Sequence, residues 1–335
     1  MDTVLVTGGA GFIGSHVAKH LLEEMKYKVV VMDDLSGGYK ENIPTGAIFE
    51  QGSVVDHKFV DKLFKKYRFS YIFHLAAYAA EGLSHFIRRY NYETNLIGTI
   101  NLINASVNTG TVKCFVFTSS IAVYGANQVP MLENMVPSPE DPYGISKYAV
   151  ELDLENARRM FGLNYVIFRP HNVYGENQNI MDPYRNAIGI FIKQCLQKKP
   201  ITIFGDGLQR RAFSHIDNVA PVIAHSIEKE ESWNQVYNIG ADKDESVLDM
   251  AKIICRKFGI DESNIKFLDA RKEVMNAYSS HDKVKSMFKD FIGKEIGIEE
   301  GLDRMISWVK KQKHFILSRK FSNIEIEKNM PPSWK

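Results

Sequence analysis

One stretch, Thr7-Gly8-Gly9-Ala10-Gly11-Phe12-Ile13-Gly14, constrains this 335-residue chain more than any other. It follows the apolar run Val4-Leu5-Val6 and opens a segment, residues 12–25, in which Ile13, Val17, Leu21 and Leu22 recur at helical spacing. Between a strand and a helix each glycine has its own task. Gly8 permits the tight turn, Gly11 lets the backbone approach a pyrophosphate, and Gly14 lets the helix pack closely on the strand. The helix N-terminus then offers free N–H groups and the positive end of its dipole to the phosphates. Phe12 and Ile13, at the start of that helix, are expected beside the cofactor as well. The spacing predicts a dinucleotide site.

Val29-Val30-Val31-Met32 reads as a second strand ending at Asp33-Asp34. Asp33 comes nineteen residues after Gly14, where a carboxylate accepts hydrogen bonds from the adenosine ribose hydroxyls and repels a 2′-phosphate. No arginine follows in Leu35-Ser36-Gly37-Gly38-Tyr39-Lys40, of which Leu35, Ser36 and Gly37 are expected beside the cofactor. The expected cofactor is NAD.

Further apolar runs at Tyr71-Ile72-Phe73-His74-Leu75, Phe115-Val116-Phe117 and Tyr165-Val166-Ile167-Phe168 alternate with helical patterns at residues 59–67 and 95–108. Such strands, each followed by a helix, imply a parallel sheet covered on both faces. The predicted fold class is α/β: a doubly wound parallel (Rossmann) sheet with a smaller, loop-rich C-terminal substrate domain. Residues 1–168 form the NAD-binding domain, with 212–239 expected to return to it. Residues 169–211 and 240–314 form the substrate domain, with helices expected at 246–258 and 298–311, and 315–335 a tail.

Composition narrows the function. Apolar residues at 44% and charged residues at 24% are ordinary for a soluble globular chain. A net charge of +2 gives no electrostatic case for nucleic acid or a membrane surface. No apolar run reaches the ~18 residues of a membrane span. Met1-Asp2 passes directly into the first strand without the regions of a signal peptide. Cys114, Cys195 and Cys255 lie far apart, without metal-ligand spacing. A cytoplasmic protein with no metal is expected.

Tyr143-Gly144-Ile145-Ser146-Lys147 places a phenol and an ammonium four residues apart, on one helical face. A free phenol, with a pKa of about 10, is a poor base at neutral pH. A nearby positive charge, from Lys147 and a nicotinium ring, favours the phenolate. Tyr143 is then the candidate to take a proton from a substrate hydroxyl as hydride leaves carbon. Upstream, Thr118-Ser119-Ser120-Ile121-Ala122-Val123-Tyr124-Gly125 follows an apolar strand. Ser120, 23 residues before Tyr143, is the preferred hydroxyl for the reacting oxygen, with Ser119 its rival. His16 and His74 are expected to be packing residues, whereas His171 and His215 flank the substrate region.

Taken together these motifs resemble the extended short-chain dehydrogenase/reductase superfamily, and within it the nucleotide-sugar epimerases typified by UDP-glucose 4-epimerase. The resemblance runs from about residue 3 to 310 through Asp33–Gly37, His74–Ala77, Asn95–Thr99, Ser119–Gly125, Tyr143–Lys147, Arg169–Gly175 and Gly205–Val219. It implies that Ser53, Val54, Leu75, Ala76, Ala77, Asn95, Ser119 and Pro170 line the NAD channel and that Lys147 also bonds the nicotinamide ribose. It implies Asn172, Arg211 and Arg271 at the substrate diphosphate, where guanidinium groups form paired, charge-assisted hydrogen bonds. Ser84, eleven residues before Asn95, matches a position near the sugar, and Tyr278, seven after Arg271, a gate that disfavours an N-acetyl group. A homodimer through residues 95–108 and 144–161 is implied as well.

The chain departs from the family pattern at Ser53, often Asp, which leaves Asp56 or the Val54 backbone for adenine. It departs again at Ala212, at Asn218, and at Arg88-Arg89, where a signature proline is missing. Dehydratases and decarboxylating members carry an acid after the catalytic hydroxyl, and 3,5-epimerases a nearby cysteine. Ile121-Ala122 supplies neither. The resemblance therefore implies reversible oxidation and reduction at C4 of a nucleotide-diphosphate sugar, of the UDP-glucose/UDP-galactose type, with NAD restored in each turnover. Other expectations carried forward are a 4-ketoreductase or dehydrogenase, an epimerase of a uronate, N-acetylhexosamine or GDP-sugar, and a non-catalytic NAD-binding protein.

Overall fold

The computed structural model describes residues 2–126, 128–270, 274–312, 321 and 323–334. Its first half alternates strand and helix: β1 (Thr3–Thr7), α1 (Phe12–Glu23), β2 (Lys28–Asp33), β3 (Ile48–Gln51), α2 (His57–Tyr67), β4 (Tyr71–His74), the short α3 (Glu81–Ser84) and α4 (Arg88–Tyr92), α5 (Gly98–Thr109), β5 (Cys114–Thr118), α6 (Pro142–Phe161) and β6 (Tyr165–Pro170). Then follow β7 (Val173–Tyr174), α7 (Ala187–Leu196), β8 (Ile201–Phe204), β9 (Arg210–Ala212), β10 (Ser214–His215), α8 (Ala220–His225) and β11 (Gln235–Ile239).

Seven parallel strands form the main sheet in the order β11-β6-β5-β4-β1-β2-β3. The chain winds outward from β1 to β3, then crosses to β4 and winds the other way. The reversal falls between β1 and β4, and a crevice opens there beyond the carboxyl ends of the strands. The register carries β1 against both neighbours, with Val6 opposite Val31 and Phe73.

Alternation along the strands divides the core into two layers. Val4 and Val6 point to one face with Val17, Leu21, Val31, Phe168 and Ile223, whereas Leu5 points to the other with Phe64, Leu102, Phe115 and Leu154. This is the period-2 consequence of a pleated strand buried on both faces. β11 pairs with β6 along its whole length, and α8 packs on α1, so this later segment completes the sheet and one of its layers.

A third apolar cluster lies outside the sheet, built from α7, α9 (Val247–Phe258) and α11 (Ile298–Lys311). Small sheets of two and three strands edge it, joining β8 to residues Ile265–Leu268 and β9 to Asp244–Ser246 and Asn276–Ala277. Among the described residues no helix is long and apolar enough to cross a membrane, and no group of three or more His, Cys, Asp or Glu could hold a metal.

Candidate active site

Helix starts explain much of the site. α1 begins after Gly11 with no side-chain cap, so its first N–H groups face the crevice. α6 is capped instead. The Asp141 carboxylate accepts the Gly144 N–H at 2.9 Å and Pro142 opens the helix. The cap fixes the first turn, which carries Tyr143, one turn before Lys147.

The glycine loop fits a pyrophosphate because side chains are barred from it. A Cβ on Gly14 would stand 2.2 Å from the Gly8 carbonyl oxygen, and one on Gly8, at φ +70°, 2.7 Å from the Ala76 nitrogen. Asp33 braces the same loop: its carboxylate accepts the Ala10 N–H at 3.1 Å and the Leu35 N–H at 2.8 Å. Burial pushes its pKa up while those two donors pull it down.

A single cleft of about 2140 Å³ runs from this loop across the strand ends. It is lined by Gly8, Gly11, Phe12, Ile13, Gly14, Asp33, Ser36, Gly37, Ser53, Val54, Leu75, Ala76 and Ala77 at one end. Ser119, Ser120, Tyr143, Lys147, Pro170, Asn172 and Arg211 line it further along. Residues from eight separate segments thus converge on one crevice.

Within it, burial raises the pKa of the Tyr143 phenol, and the neighbouring Ser120 hydroxyl opposes that rise. The Ser120 oxygen also accepts the Ala122 N–H at 3.1 Å, which orients the hydroxyl. Lys147 is fully buried. Its Nζ donates to the Thr118 carbonyl at 2.8 Å and lies 5.8 Å from the Tyr143 ring centre. Burial lowers its pKa to about 7, opposed by the Glu151 carboxylate one turn on. Lys147 therefore makes no direct bond to the phenol. The Asp141 and Glu81 carboxylates also raise the pKa of Tyr143, and the Arg185 guanidinium opposes them.

Several site candidates lie elsewhere. Leu35, Asn95, Ser84 and Tyr278 do not line the cleft. Asn95 sits where a π-helical turn, Glu93–Ile97, interrupts the run into α5. There its amide brackets Tyr78, accepting its N–H at 2.9 Å and donating to its carbonyl at 3.2 Å. It shapes the Ala76–Tyr78 wall from behind. Ser84 is buried, its hydroxyl donating to the Glu81 carbonyl at 2.6 Å. Tyr278 lends its carbonyl to the Met131 N–H at 3.0 Å. Asp56 caps α2 through the Phe59 N–H, whereas Ser53 and Val54 line the cleft. Arg271 lies outside the described residues. Arg211 lines the cleft, and its guanidinium also holds the carbonyls of Val274 and Met275 at 2.5 and 2.9 Å.

The histidines divide as their surroundings require. His74 is buried between the Thr7 and Thr99 hydroxyls, at 2.7 Å each, and burial drives its pKa well down. His16 packs edge-on against Phe12 and meets the Glu176 carbonyl at 3.0 Å. His171 lines the cleft with both nitrogens engaged. Nδ1 meets the Ala212 carbonyl at 2.9 Å and Nε2 meets His281 at 2.8 Å, whose Nδ1 meets Asp242 at 2.7 Å. That row joins the Asn172 loop to the Arg211 strand. His215 is buried against Glu176, outside the cleft.

Sequence reasoning missed the buried row behind Tyr143. Glu151 accepts from Ser119 at 2.5 Å and pairs with Arg169 through both oxygens, at 3.0 and 2.5 Å. Arg169 continues to the Tyr124 hydroxyl, which donates to Asn238 at 2.8 Å. Ser119 is thereby turned to Glu151, which leaves Ser120 as the hydroxyl on the phenol. The one available signal was Glu151 at helical spacing from Lys147.

With this geometry in view, similarity to known proteins places the chain. Residues 4–240 match the sequence model of the NAD dependent epimerase/dehydratase family. The crystal structure of UDP-glucose 4-epimerase from Thermotoga maritima with UDP-glucose is similar at a TM-score of 0.86 and 35% identity, over 92% of this chain and 99% of that one. That of the Thermus thermophilus UDP-glucose 4-epimerase complex with NAD is similar at a TM-score of 0.83 and 28% identity, over 92% and 99%. UDP-glucuronate 4-epimerase of Thermodesulfobacterium geofontis is 30% identical over 339 residues, 96% of this chain and 100% of the relative. The chain belongs to the NAD dependent epimerase/dehydratase family, and it is an NAD-dependent enzyme of that family.

Proposed function

We propose that this enzyme is a nucleotide-sugar 4-epimerase acting on a UDP-hexose of the glucose/galactose type. The observation that carries the reading is that Ser120, Tyr143 and Lys147 line the same cleft that the glycine loop opens, with the Ser120 hydroxyl acting on the Tyr143 phenol. Bound NAD supplies the hydride acceptor and donor. Gly8, Gly11 and Gly14 give its pyrophosphate room, Asp33 takes the adenosine ribose, and Ala76 and Ala77 flank the channel.

The chain's own groups handle the proton. Ser120 and Tyr143 face one substrate oxygen: Ser120 orients it, and Tyr143 takes the proton and returns it. Burial keeps the phenol protonated until positive charge arrives in the cleft. Lys147, held by Thr118, faces the nicotinamide ribose. Asn172 and Arg211 anchor the substrate diphosphate, with Arg271 assigned to the same task. An anchored diphosphate lets the oxidised sugar turn and present its other face. The segment after Ser120 is the short 3-10 helix Ile121–Tyr124 and carries no acid, which favours epimerisation over elimination of water.

Two further assignments belong to this reading. Exposed Ile145 and Leu152 lie on α6 and exposed Ile97 at the end of the π-helical turn before α5, where a second copy of the chain would cover them as a homodimer. Three buried, unpaired cysteines suit the reducing cytoplasm.

The test is incubation of purified protein with UDP-glucose, UDP-galactose, their N-acetyl and uronic acid forms, and GDP-sugars, without added NAD. A 4-epimer of a UDP-hexose is the expected product. A released 4-ketone or a dehydrated sugar from every substrate would replace the reading by one of the alternatives.

A further inference from the structure

Residue 321 and residues 323–334 follow the last motif and lie outside the three large apolar clusters, yet they are closely held. Phe321 meets the Tyr90 ring edge-on and the Tyr78 ring at a tilt, at 4.9 and 5.4 Å between centres. The Glu325 carboxylate accepts the N–H groups of Arg89 and Tyr90 at 2.9 and 3.0 Å. The Glu325 and Ile326 N–H groups donate to the Phe86 carbonyl at 2.8 and 3.2 Å. Met330 and Trp334 are 7% and 9% exposed and pack with Ala80, Leu83 and Ile87.

Trp334 does more than rest on this wall. It meets Phe86 edge-on at 6.2 Å and Tyr184 edge-on at 5.4 Å, and so bridges the 78–92 segment to the loop before α7. That loop is itself tied across the cleft. Asn179 donates to the Gly37 carbonyl at 3.1 Å and accepts from the Tyr39 hydroxyl at 2.9 Å. Arg185 pairs with Asp182 at 3.0 Å and lies over the Tyr78 ring at 5.3 Å. The contacts form a closed belt: the loop after β2, the loop before α7, the C-terminal segment, and the 78–92 segment that continues into the Ala76–Tyr78 wall. Ser36, Gly37, Ala76 and Ala77 on this belt line the dinucleotide half of the cleft.

We propose that the C-terminal segment is a clasp that retains NAD by holding this belt shut. A dinucleotide seated along the strand ends can leave only when a wall opens locally, and the cost of opening is set by the contacts across it. Phe321, Glu325, Met330 and Trp334 supply contacts that bind one wall to the next. The proposal deepens the reading of NAD as a resident cofactor and rests on it.

The experiment compares the whole enzyme with a variant lacking residues 321–335, and with Trp334→Ala and Glu325→Ala. Each is loaded with NAD and chased with excess labelled NAD, and the rate of exchange is followed. Deletion is expected to accelerate exchange by about tenfold or more, given the burial of two large apolar side chains, with smaller accelerations in the single variants. The segment itself lines part of the cleft through Ile326, Lys328, Asn329, Pro331 and Trp334, so the rate of exchange, and not turnover, is the readout. Thermal melting at saturating NAD reports whether the deletion folds; if it does not, the two single variants decide. Exchange at the wild-type rate in the folded variants would overturn the clasp. Rapid loss of NAD from the unaltered enzyme would instead overturn resident NAD, while the ratio of exchange rates would still judge the clasp.

Discussion

Gly14→Ala puts the dinucleotide account under direct strain. The new Cβ would stand 2.2 Å from the Gly8 carbonyl oxygen, 2.8 Å from its carbon and 3.0 Å from the Gly9 Cα. Comfortable carbon contacts begin near 3.5 Å, so the Gly8–Gly9 backbone must retreat by about 1 Å. Backbone cannot swing aside as a flexible side chain can. The cost is about 1–3 kcal/mol, the range for overfilling a packed site. At the usual unfolding entropy per residue, a chain of this length loses about 1–4 °C in Tm. The retreating peptide is also the one that must lie against the pyrophosphate, so NAD binding should weaken by at least about tenfold. Calorimetric melting and NAD titration measure the two effects. Gly293→Ala is the control: a Cβ there meets nothing within 4 Å, and stability should hold or rise by about 0.4–1 kcal/mol. NAD binding by Gly14→Ala with wild-type affinity would refute the reasoning about this loop.

Other variants probe the remaining parts. Tyr143→Phe should lower kcat by about 10²–10⁴-fold with NAD still bound, since it removes the proton carrier and little volume; a fully active variant would dismiss the phenol from the mechanism. Lys147 titrates near pH 7 in the fold against 10.5 as its ordinary value, so within that window the unfolded chain holds the extra proton and this residue's contribution to stability rises with pH. Lys147→Met abolishes the titration. Its Tm relative to wild type should accordingly be most favourable near pH 6 and decline towards about pH 10, and a pH-independent difference would show the lysine is not depressed. Glu151→Ala leaves Arg169 buried without its partner and should cost about 3–5 kcal/mol in chemical denaturation; a loss below about 1 kcal/mol would mean that solvent reaches the pair.

What could be read from sequence follows from the range of the forces involved. The glycine loop, Asp33 and the Tyr143–Lys147 pair obey local rules: a turn that admits no side chain, an acid at a strand end, one helical face. Helix bounds were legible on the same grounds, to within a few residues for α1, α2 and α9, where Asp56 and Ser246 act as caps. The strand at Gln235–Ile239 was visible as an apolar run, but its place beside β6 is a matter of topology. Ser84 and Tyr278 were assigned by position alone, and position does not reveal which way a side chain turns. The Glu151–Arg169 pair and the hold of Glu325 on Arg89 and Tyr90 join residues far apart in the chain. No local pattern encodes such contacts; they exist only once the sheet and its layers are assembled.

The central claim is that hydride leaves C4 of the sugar and returns to the same C4 without leaving the protein. The direct measurement uses UDP-glucose deuterated at C4, purified enzyme and no added NAD, with mass and NMR analysis of the epimer. The account predicts deuterium retained at C4 of the product. Deuterium lost to solvent, or found on free dinucleotide, would contradict it.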